Sequence, residues 1–206
     1  MMALDLPQKT IMTLNKVCRG FLWCAKDRAT GGQCLVSWEE VCTPKWAGGL
    51  GIPNLKWLNI AMQARWPWLQ RVDRSRPWAE FDIDVPQDSL QLFNAAAHVE
   101  LGSGEDVLLW KDRWLDGYRL EELVLALYFA VRRGARDTQT VSHGLRTGDW
   151  ATDVGPQVSK LILSEYFMLW EHLAAVELVP GEVETVWWAW ETGGEFSTRS
   201  AYNALF

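Results

Sequence analysis

The chain has 206 residues, of which 49% are hydrophobic and 22% charged, so it can bury a hydrophobic core and lacks the composition of a disordered protein. No apolar run approaches the roughly 18 residues of a membrane-spanning helix, and residues 1–8 lack the pattern of a secretory signal. We therefore expect an intracellular protein, in the nucleus or the cytoplasm, without a membrane partner.

The net charge of −6 at neutral pH is divided unevenly along the chain. Residues 1–78 carry a net charge of +6, whereas residues 79–206 carry −12. The polar, proline-containing segment 73–78 lies where the sign changes, and it predicts a boundary between two small subdomains, 1–78 and 79–206. A basic half favours a polyanionic partner.

Residues 1–78 are predicted to form a basic, Trp-rich helical region. Apolar residues at helical spacing predict an amphipathic helix over 10–23. Its apolar positions are Ile11, Leu14, Val17, Cys18, Phe21 and Leu22. Three glycines within 48–51 indicate irregular backbone or the close approach of another segment. A second helix should begin at Pro53 and extend to about residue 72, and Pro67 should kink it near Gln63.

Residues 79–206 are predicted to form an acidic region of short helices and hairpins. The helices are expected at 88–97, 120–131, 140–146, 158–178 and 198–206. Strands at 98–101 and 107–110 should form one hairpin around the glycines of 102–104, and strands at 184–190 and 195–196 a second. The predicted fold class is therefore α+β, mostly α-helical with short β-hairpins, in two small subdomains.

Cations in the basic half are interleaved with Trp, a pattern that favours a nucleic-acid partner. Cationic side chains neutralise phosphates, and Trp rings can stack on unpaired bases for about 1–3 kcal/mol each. The candidate binding residues are Lys45, Lys56, Arg65, Arg71, Arg74 and Arg76. Most of the 14 Trp are better explained as packing anchors, because Trp66 and Trp68 lie on apolar helical faces and seven Trp lie on each side of the charge boundary.

The cysteine and histidine spacings do not indicate a metal site. The four cysteines are Cys18, Cys24, Cys34 and Cys42, with gaps of five, nine and seven residues. Structural zinc sites favour gaps of about two to four within a ligand pair. We expect reduced structural thiols, and we predict no metal and no cofactor.

Three further motifs have simpler structural explanations than functional ones. Gly102-Ser103-Gly104 lacks the strand–helix context of a phosphate loop, so a turn is the better interpretation. Ser197 has no His placed by a motif to activate it, and helix capping explains it. His172, on a Leu-rich helix, is expected to be partly buried and bonded to a neighbour.

Nine separated strings occur in order along nearly the whole chain. They are FLW at 21–23, LVSW at 35–38, VCTPK at 41–45, GGLGI at 48–52, NIA at 59–61, RW at 65–66, GSG at 102–104, LWKDRWLDG at 109–117 and GEFSTRSAY at 194–202. Their order and spacing resemble the C-terminal part of plant LINE-type (non-LTR) retrotransposon reverse transcriptases, between the polymerase thumb and the zinc-binding domain.

This resemblance implies a parent protein that is an RNA-directed DNA polymerase. The family's metal-binding aspartates lie in a Tyr-x-Asp-Asp loop that this chain lacks, so Asp82 and Asp84 are interpreted as a solvated loop and no catalytic residue is predicted. The family's zinc-binding domain needs a Cys pair and a His/Cys cluster, and the last cysteine here is Cys42. The string at 109–117 is expected to form a structural ion pair with Trp packing.

We therefore expect a non-enzymatic fragment of a retroelement reverse transcriptase whose ancestral role is to support RNA or single-stranded DNA binding, weakly, beside the polymerase. One alternative is a protein-interaction or scaffold fragment with exposed Trp faces that packed against other parts of the reverse transcriptase. The other is a degenerate remnant without a selected function.

Overall fold

The computed structural model describes residues 6–29, 32–72, 76–77, 81, 83–148, 150, 154–155 and 158–206. Its contacts group the chain into two compact units: Met1–Ala95 with Trp190–Phe206 form the first unit, and Ala96–Ala189 form the second. This grouping differs from the charge boundary at residue 78. It differs because the last segment of the chain packs against residues of the first unit, where the backbone N–H of Asn54 donates a 2.8 Å hydrogen bond to the Tyr202 hydroxyl.

The fold is mostly helical with one small sheet, as the sequence predicts. In chain order the elements are α1 (Gln8–Cys24), α2 (Trp38–Cys42), a 3-10 turn (Lys45–Ala47), α3 (Leu55–Gln63), α4 (Arg65–Val72), α5 (Gln87–Ala96), β1 (Ala97–Glu100), α6 (Leu120–Leu123), α7 (Leu125–Ala130), α8 (Arg133–Thr138), α9 (Val141–Thr147), α10 (Lys160–Ala174), β2 (Thr185–Trp188) and α11 (Thr198–Asn203). The helix α8 has no counterpart among the predicted elements.

The long helix predicted after Pro53 is confirmed in position and in its break. The helix begins at Leu55 rather than at Pro53, because the Asn54 side chain caps it by accepting hydrogen bonds from the backbone N–H groups of Lys56 and Trp57. The break follows Gln63, where α3 ends and α4 begins two residues later. Pro67 lies in the first turn of α4, one turn beyond Gln63, as its ring requires.

The sheet corrects the predicted hairpins. Strand β1 pairs antiparallel with β2, with Val99 opposite Val186, instead of with residues 107–110. The segment 107–110 forms only an isolated bridge, from Leu108 to Thr140, and residues 195–196 are not a strand. Val99 on β1 and Trp188 on β2 are both buried, and the Trp188 side chain is completely inaccessible.

The core of the second unit is built around the string at 109–117. Trp110 is fully buried and its indole N–H donates to the Gln139 side-chain oxygen at 3.0 Å, while the Trp114 indole N–H donates to the Leu109 carbonyl at 2.8 Å. Arg113 forms an ion pair, as predicted, but its partner is Glu122, outside the string, whereas the Asp112 carboxylate accepts a 2.8 Å hydrogen bond from the backbone N–H of Leu108. The motif therefore contributes to packing, since the buried indole N–H groups of Trp110 and Trp114 both have hydrogen-bond partners.

The predicted helix over 120–131 is two helices, α6 and α7, separated at Val124. The Glu165 carboxylate on α10 accepts a 2.8 Å hydrogen bond from the backbone N–H of Leu127, so the first turn of α7 is capped from another helix. The helices predicted at 140–146 and 158–178 are confirmed as α9 and α10, with Thr140 and Ser159 as caps. None of the helices in the described ranges is long and apolar enough to cross a membrane.

Candidate nucleic-acid interface

The predicted nucleic-acid binding depends on the net positive charge of residues 1–78, and folding adds acidic residues to the unit that contains them. The first unit gains the acidic residues of 79–95 and of 190–206, which gives it 12 Lys and Arg against 11 Asp and Glu. Its net charge is therefore +1, in contrast to the +6 of residues 1–78, and the second unit carries −7. Attraction of a polyanion must consequently come from local groups of cations, since the net charge of the first unit is close to zero.

An exposed cation next to an exposed aromatic ring lies on the 3-10 turn between α2 and α3. Lys45 is exposed there, and the Trp46 side chain that follows it is 72% accessible. The buried Pro44 and Cys42 precede the turn and attach it to the unit. A cation and an aromatic ring thus point to solvent from adjacent positions.

The glycine-rich string at 48–52 holds this turn in shape. Gly49 donates its N–H to the Pro44 carbonyl at 3.2 Å, and Gly51 donates to the Thr43 carbonyl at 3.0 Å. A side chain at Gly49 would overlap the Thr43 backbone, and Gly48 has a φ of +92°, which favours glycine. The predicted close approach is therefore confirmed.

The other predicted binding residues divide between exposed and packed positions. Lys56, in the first turn of α3, and Arg65, at the start of α4, are exposed, as is Arg76. Arg71 differs, because it is half-buried with its guanidinium 4.9 Å from the centre of the Phe93 ring, which makes it a packing residue. Arg74 lies outside the described residues.

The Trp side chains are mainly packing anchors, as predicted. The buried ones are Trp38, Trp66, Trp68, Trp110, Trp114, Trp150 and Trp188. Three others among the described residues are exposed: Trp46, Trp170 and Trp190. Stacking on a base is open only to such exposed rings, and two of the three lie in the first unit.

The remaining motifs take structural roles. Ser103 donates its hydroxyl to Glu184 at 3.1 Å and Gly104 donates its N–H to the same carboxylate at 2.8 Å, so these groups are engaged within the protein. Ser197 caps α11, as predicted. His172 is exposed rather than partly buried, with Nδ1 2.7 Å from the Met168 carbonyl on its own helix.

No cluster of three or more His, Cys, Asp or Glu side chains with metal-binding geometry occurs in the described part of the chain. Asp82, the first carboxylate of the pair considered above, lies outside that part. The Cys42 thiol is buried, and this burial, together with the charge of Glu39, raises its pKa.

Helix α1 presents a surface that sequence reasoning missed. Its apolar positions Leu14, Val17 and Phe21 are exposed, and the Phe21 side chain is 76% accessible. The opposite side faces the unit, where the Arg19 guanidinium lies 5.5 Å from the Trp38 ring centre. Periodicity identifies which residues share a helical face, but it does not state which face is turned inward.

Comparison with known proteins gives one relationship. The chain is similar to a protein of Arabidopsis thaliana named "Putative ribonuclease H protein", with 26% identity over 230 residues. The match spans 97% of this chain and 35% of the Arabidopsis protein. No protein-family model matches the chain, and no solved structure matches it.

Proposed function

We propose that this chain is a non-catalytic segment of a plant retroelement reverse transcriptase, and that its first unit supports the binding of RNA or single-stranded DNA. The nine strings that resemble the LINE-type reverse transcriptases extend along nearly the whole chain. The similarity to the Arabidopsis protein covers 97% of the chain, and the name of that protein, a putative ribonuclease H protein, supports a role with nucleic acid.

The observation that carries the proposal is the pairing of Lys45 with the exposed Trp46 on a hydrogen-bonded turn. Lys45 can neutralise a phosphate while the Trp46 ring stacks on the neighbouring base. Lys56 and Arg65 are exposed in the same unit and add further phosphate contacts. Because the net charge of the unit is only +1, we expect weak binding, and because the contacts are between cations and phosphates, we expect the affinity to fall as salt is raised.

Fluorescence anisotropy of a labelled 12-nucleotide RNA, and of its DNA equivalent, tests this proposal with the full chain. Binding is expected at low salt and should weaken as salt is raised. Trp46→Ala should reduce the affinity several-fold, whereas Trp170→Ala, which removes an exposed ring from the second unit, should not. The proposal is wrong if the intact chain binds neither oligonucleotide at low salt.

The non-catalytic part of the proposal is tested separately. The chain should neither extend a primer on an RNA template nor cleave the RNA strand of an RNA–DNA hybrid, with Mg²⁺ or Mn²⁺ present. A polymerase or a ribonuclease H of known activity serves as the positive control. Turnover that copurifies with the chain through two different columns would contradict a non-catalytic role.

A second candidate function, docking onto another part of the same retroelement protein, is favoured by α1. Leu14, Val17 and Phe21 form an exposed apolar stripe at helical spacing. The helix contains three basic residues and no acidic residue. The occupant we propose is an apolar segment with acidic flanks, from the region that corresponds to the 65% of the Arabidopsis protein outside the match.

Co-purification with the part of the Arabidopsis protein that lies outside the match, expressed as a separate polypeptide, tests this docking. Phe21→Glu should abolish capture, because it places a charge in the apolar stripe. Gln8→Glu adds the same charge to an exposed position of α1 on a different side of the helix from the stripe and should have little effect. A concentration-dependent dimer of the chain that Phe21→Glu dissociates would assign the stripe to a second copy instead.

A further inference from the structure

An open cleft of about 650 Å³ lies in the first unit, beside the last helix of the chain. Its lining residues are Trp190, Glu191, Arg199, Ser200, Asn203 and Ala204. None of these residues belongs to the Lys45–Trp46 turn. The volume falls within the range of about 300–1,000 Å³ that is usual for small-ligand pockets.

The two walls of the cleft are connected by a short turn and a helix cap. Gly194, at a φ of +71°, donates its N–H to the Glu191 carbonyl at 3.0 Å and reverses the chain. Ser197 then caps α11 by accepting the backbone N–H of Ser200, and its hydroxyl donates to the Glu191 carboxylate at 2.8 Å. Glu191 is therefore held against the start of α11.

The helical wall of the cleft has a fixed position in the unit. Arg199 and Asn203 are four residues apart on α11 and so share one face, and both are exposed. The neighbouring Ala201 is fully buried, and Tyr202 accepts the hydrogen bond from Asn54. Because α11 is anchored through these residues, its polar face is presented to the cleft without rearrangement.

We infer that this cleft binds one nucleotide of a single-stranded nucleic acid, an inference that rests on the proposed function. The Trp190 side chain is 37% accessible and lines the cleft, where its ring can stack on a base. The Arg199 guanidinium can pair with the adjoining phosphate, and the small Ala204 leaves room for the base. The cleft and the Lys45–Trp46 turn both belong to the first unit, and each would contact a nucleotide of its own.

The Glu191 carboxylate gives the cleft a preference among bases. Its oxygens only accept hydrogen bonds, so they favour a base that offers an amino group. Cytosine presents an N4 amino group at the position where uracil presents a carbonyl oxygen, and a carboxylate repels that oxygen. The negative charge also keeps the phosphate at the Arg199 end of the cleft. Cytidine should accordingly bind more tightly than uridine.

Anisotropy titrations of the full chain with fluorescein-labelled hexacytidylate and hexauridylate test the inference. Trp190→Ala should weaken hexacytidylate binding about tenfold, the loss expected for one stacked base, while Trp190→Phe should recover most of it. Glu191→Gln should reduce the preference for hexacytidylate over hexauridylate to about one. Trp170→Ala is the control for the loss of an exposed ring, and circular dichroism checks that each variant is folded.

The variants distinguish failure of the cleft as a nucleotide site from failure of the proposed function. If Trp190→Ala and Glu191→Gln both bind as the unaltered chain does, and Trp46→Ala is weakened, the cleft is not a nucleotide site and the proposed function stands. If the unaltered chain binds neither oligonucleotide at low salt, both the proposed function and this inference are wrong. Cross-linking of 5-bromocytidine-substituted hexacytidylate to the peptide that contains Trp190 would support the site directly.

Discussion

The hydroxyl of Ser89 on α5 donates a 3.0 Å hydrogen bond to the side-chain oxygen of Gln63, the last residue of α3. Both residues are buried, with 0% and 4% of their surfaces accessible. The bond lies at the break between α3 and α4 and satisfies polar groups that water does not reach. Residues 26 positions apart thus fix the geometry of the segment that carries Lys56 and Arg65.

Ser89→Ala should lower the free energy of unfolding by about 1–3 kcal/mol, because it leaves the buried Gln63 oxygen without this donor. Urea denaturation of the unaltered chain and of Ser89→Ala measures this difference in the free energy of unfolding. The double variant Ser89→Ala with Gln63→Leu should be less destabilised than the two single changes predict together, since both partners are then removed. Additive losses would show that the two side chains do not act as a pair.

Gly102→Ala should destabilise the second unit strongly, whereas Gly134→Ala should not. A methyl group at Gly102 would lie 2.5 Å from the Glu182 carbonyl oxygen, and backbone at that position cannot easily move away. Gly134 lies within α8 with open space around it, so Ala there should stabilise the helix by about 0.5–1 kcal/mol. Thermal unfolding of the pair measures both effects. Equal melting temperatures for the two variants would contradict the close approach of the Glu182 backbone to Gly102.

The four cysteines should react with iodoacetamide in the order of their exposure. Cys18 and Cys34 are exposed and should be modified first, followed by the half-buried Cys24. Cys42 should be last, because it is buried and its raised pKa lowers the thiolate fraction near neutral pH. Mass spectrometry of timed samples gives the order. Modification of Cys42 as fast as Cys18 would show that α2 opens freely.

Stability should fall at high pH in part because of Tyr202. Burial raises the pKa of its hydroxyl above the ordinary value of 10.0, although the hydrogen bond from Asn54 acts in the opposite direction. The neutral form is therefore favoured by folding, and this contribution is complete below about pH 10 and is lost as the pH rises through the folded-state pKa.

The change in urea midpoint between pH 8 and pH 11 tests the role of Tyr202. The decrease should be smaller in Tyr202→Phe than in the unaltered chain, because the variant has no hydroxyl at this position to lose its proton. Tyr118→Phe, at an exposed tyrosine, is the control and should leave the decrease unchanged. A Tyr202→Phe protein that loses stability as steeply as the unaltered chain would contradict the assignment.

Local sequence signals predicted much of the secondary structure because their causes are local. The caps of α9, α10 and α11 are Thr140, Ser159 and Ser197, and each side chain acts on a backbone N–H three residues away. The break after Gln63 likewise follows from Pro67, which lies four residues further along the chain. In such interactions both partners lie within a few residues of each other in the sequence.

The errors arose where distant residues decide the outcome. The N-terminal turn of α7 is capped by Glu165, 38 residues beyond Leu127, so the split at Val124 has no nearby signal. Strand β1 finds its partner more than 80 residues later, at β2. Register and partner choice depend on which pairing buries more apolar surface, and the strand sequences alone do not state it.

The candidate site was predicted in part for the same reason. Exposed Lys45, Lys56 and Arg65 were found from charge, while the packing role of Arg71 depends on Phe93 from another helix. The grouping of 190–206 with the first unit, which places the cleft at Trp190 in that unit and lowers the unit's net charge, depends on tertiary contacts. The sequence pattern of residues 1–78 alone does not predict that residues 190–206 pack against them.

The most direct test of nucleic-acid binding by the first unit is the salt dependence of its affinity for a labelled 12-nucleotide RNA. For a single strand, each phosphate neutralised adds about −0.7 to the slope of log K against log salt. The triple variant Lys45→Gln, Lys56→Gln, Arg65→Gln should therefore have a slope shallower by about 2, and Arg132→Gln, Arg146→Gln, Lys160→Gln in the second unit should retain the original slope. Identical slopes for the unaltered chain and the first-unit variant would contradict the proposed interface.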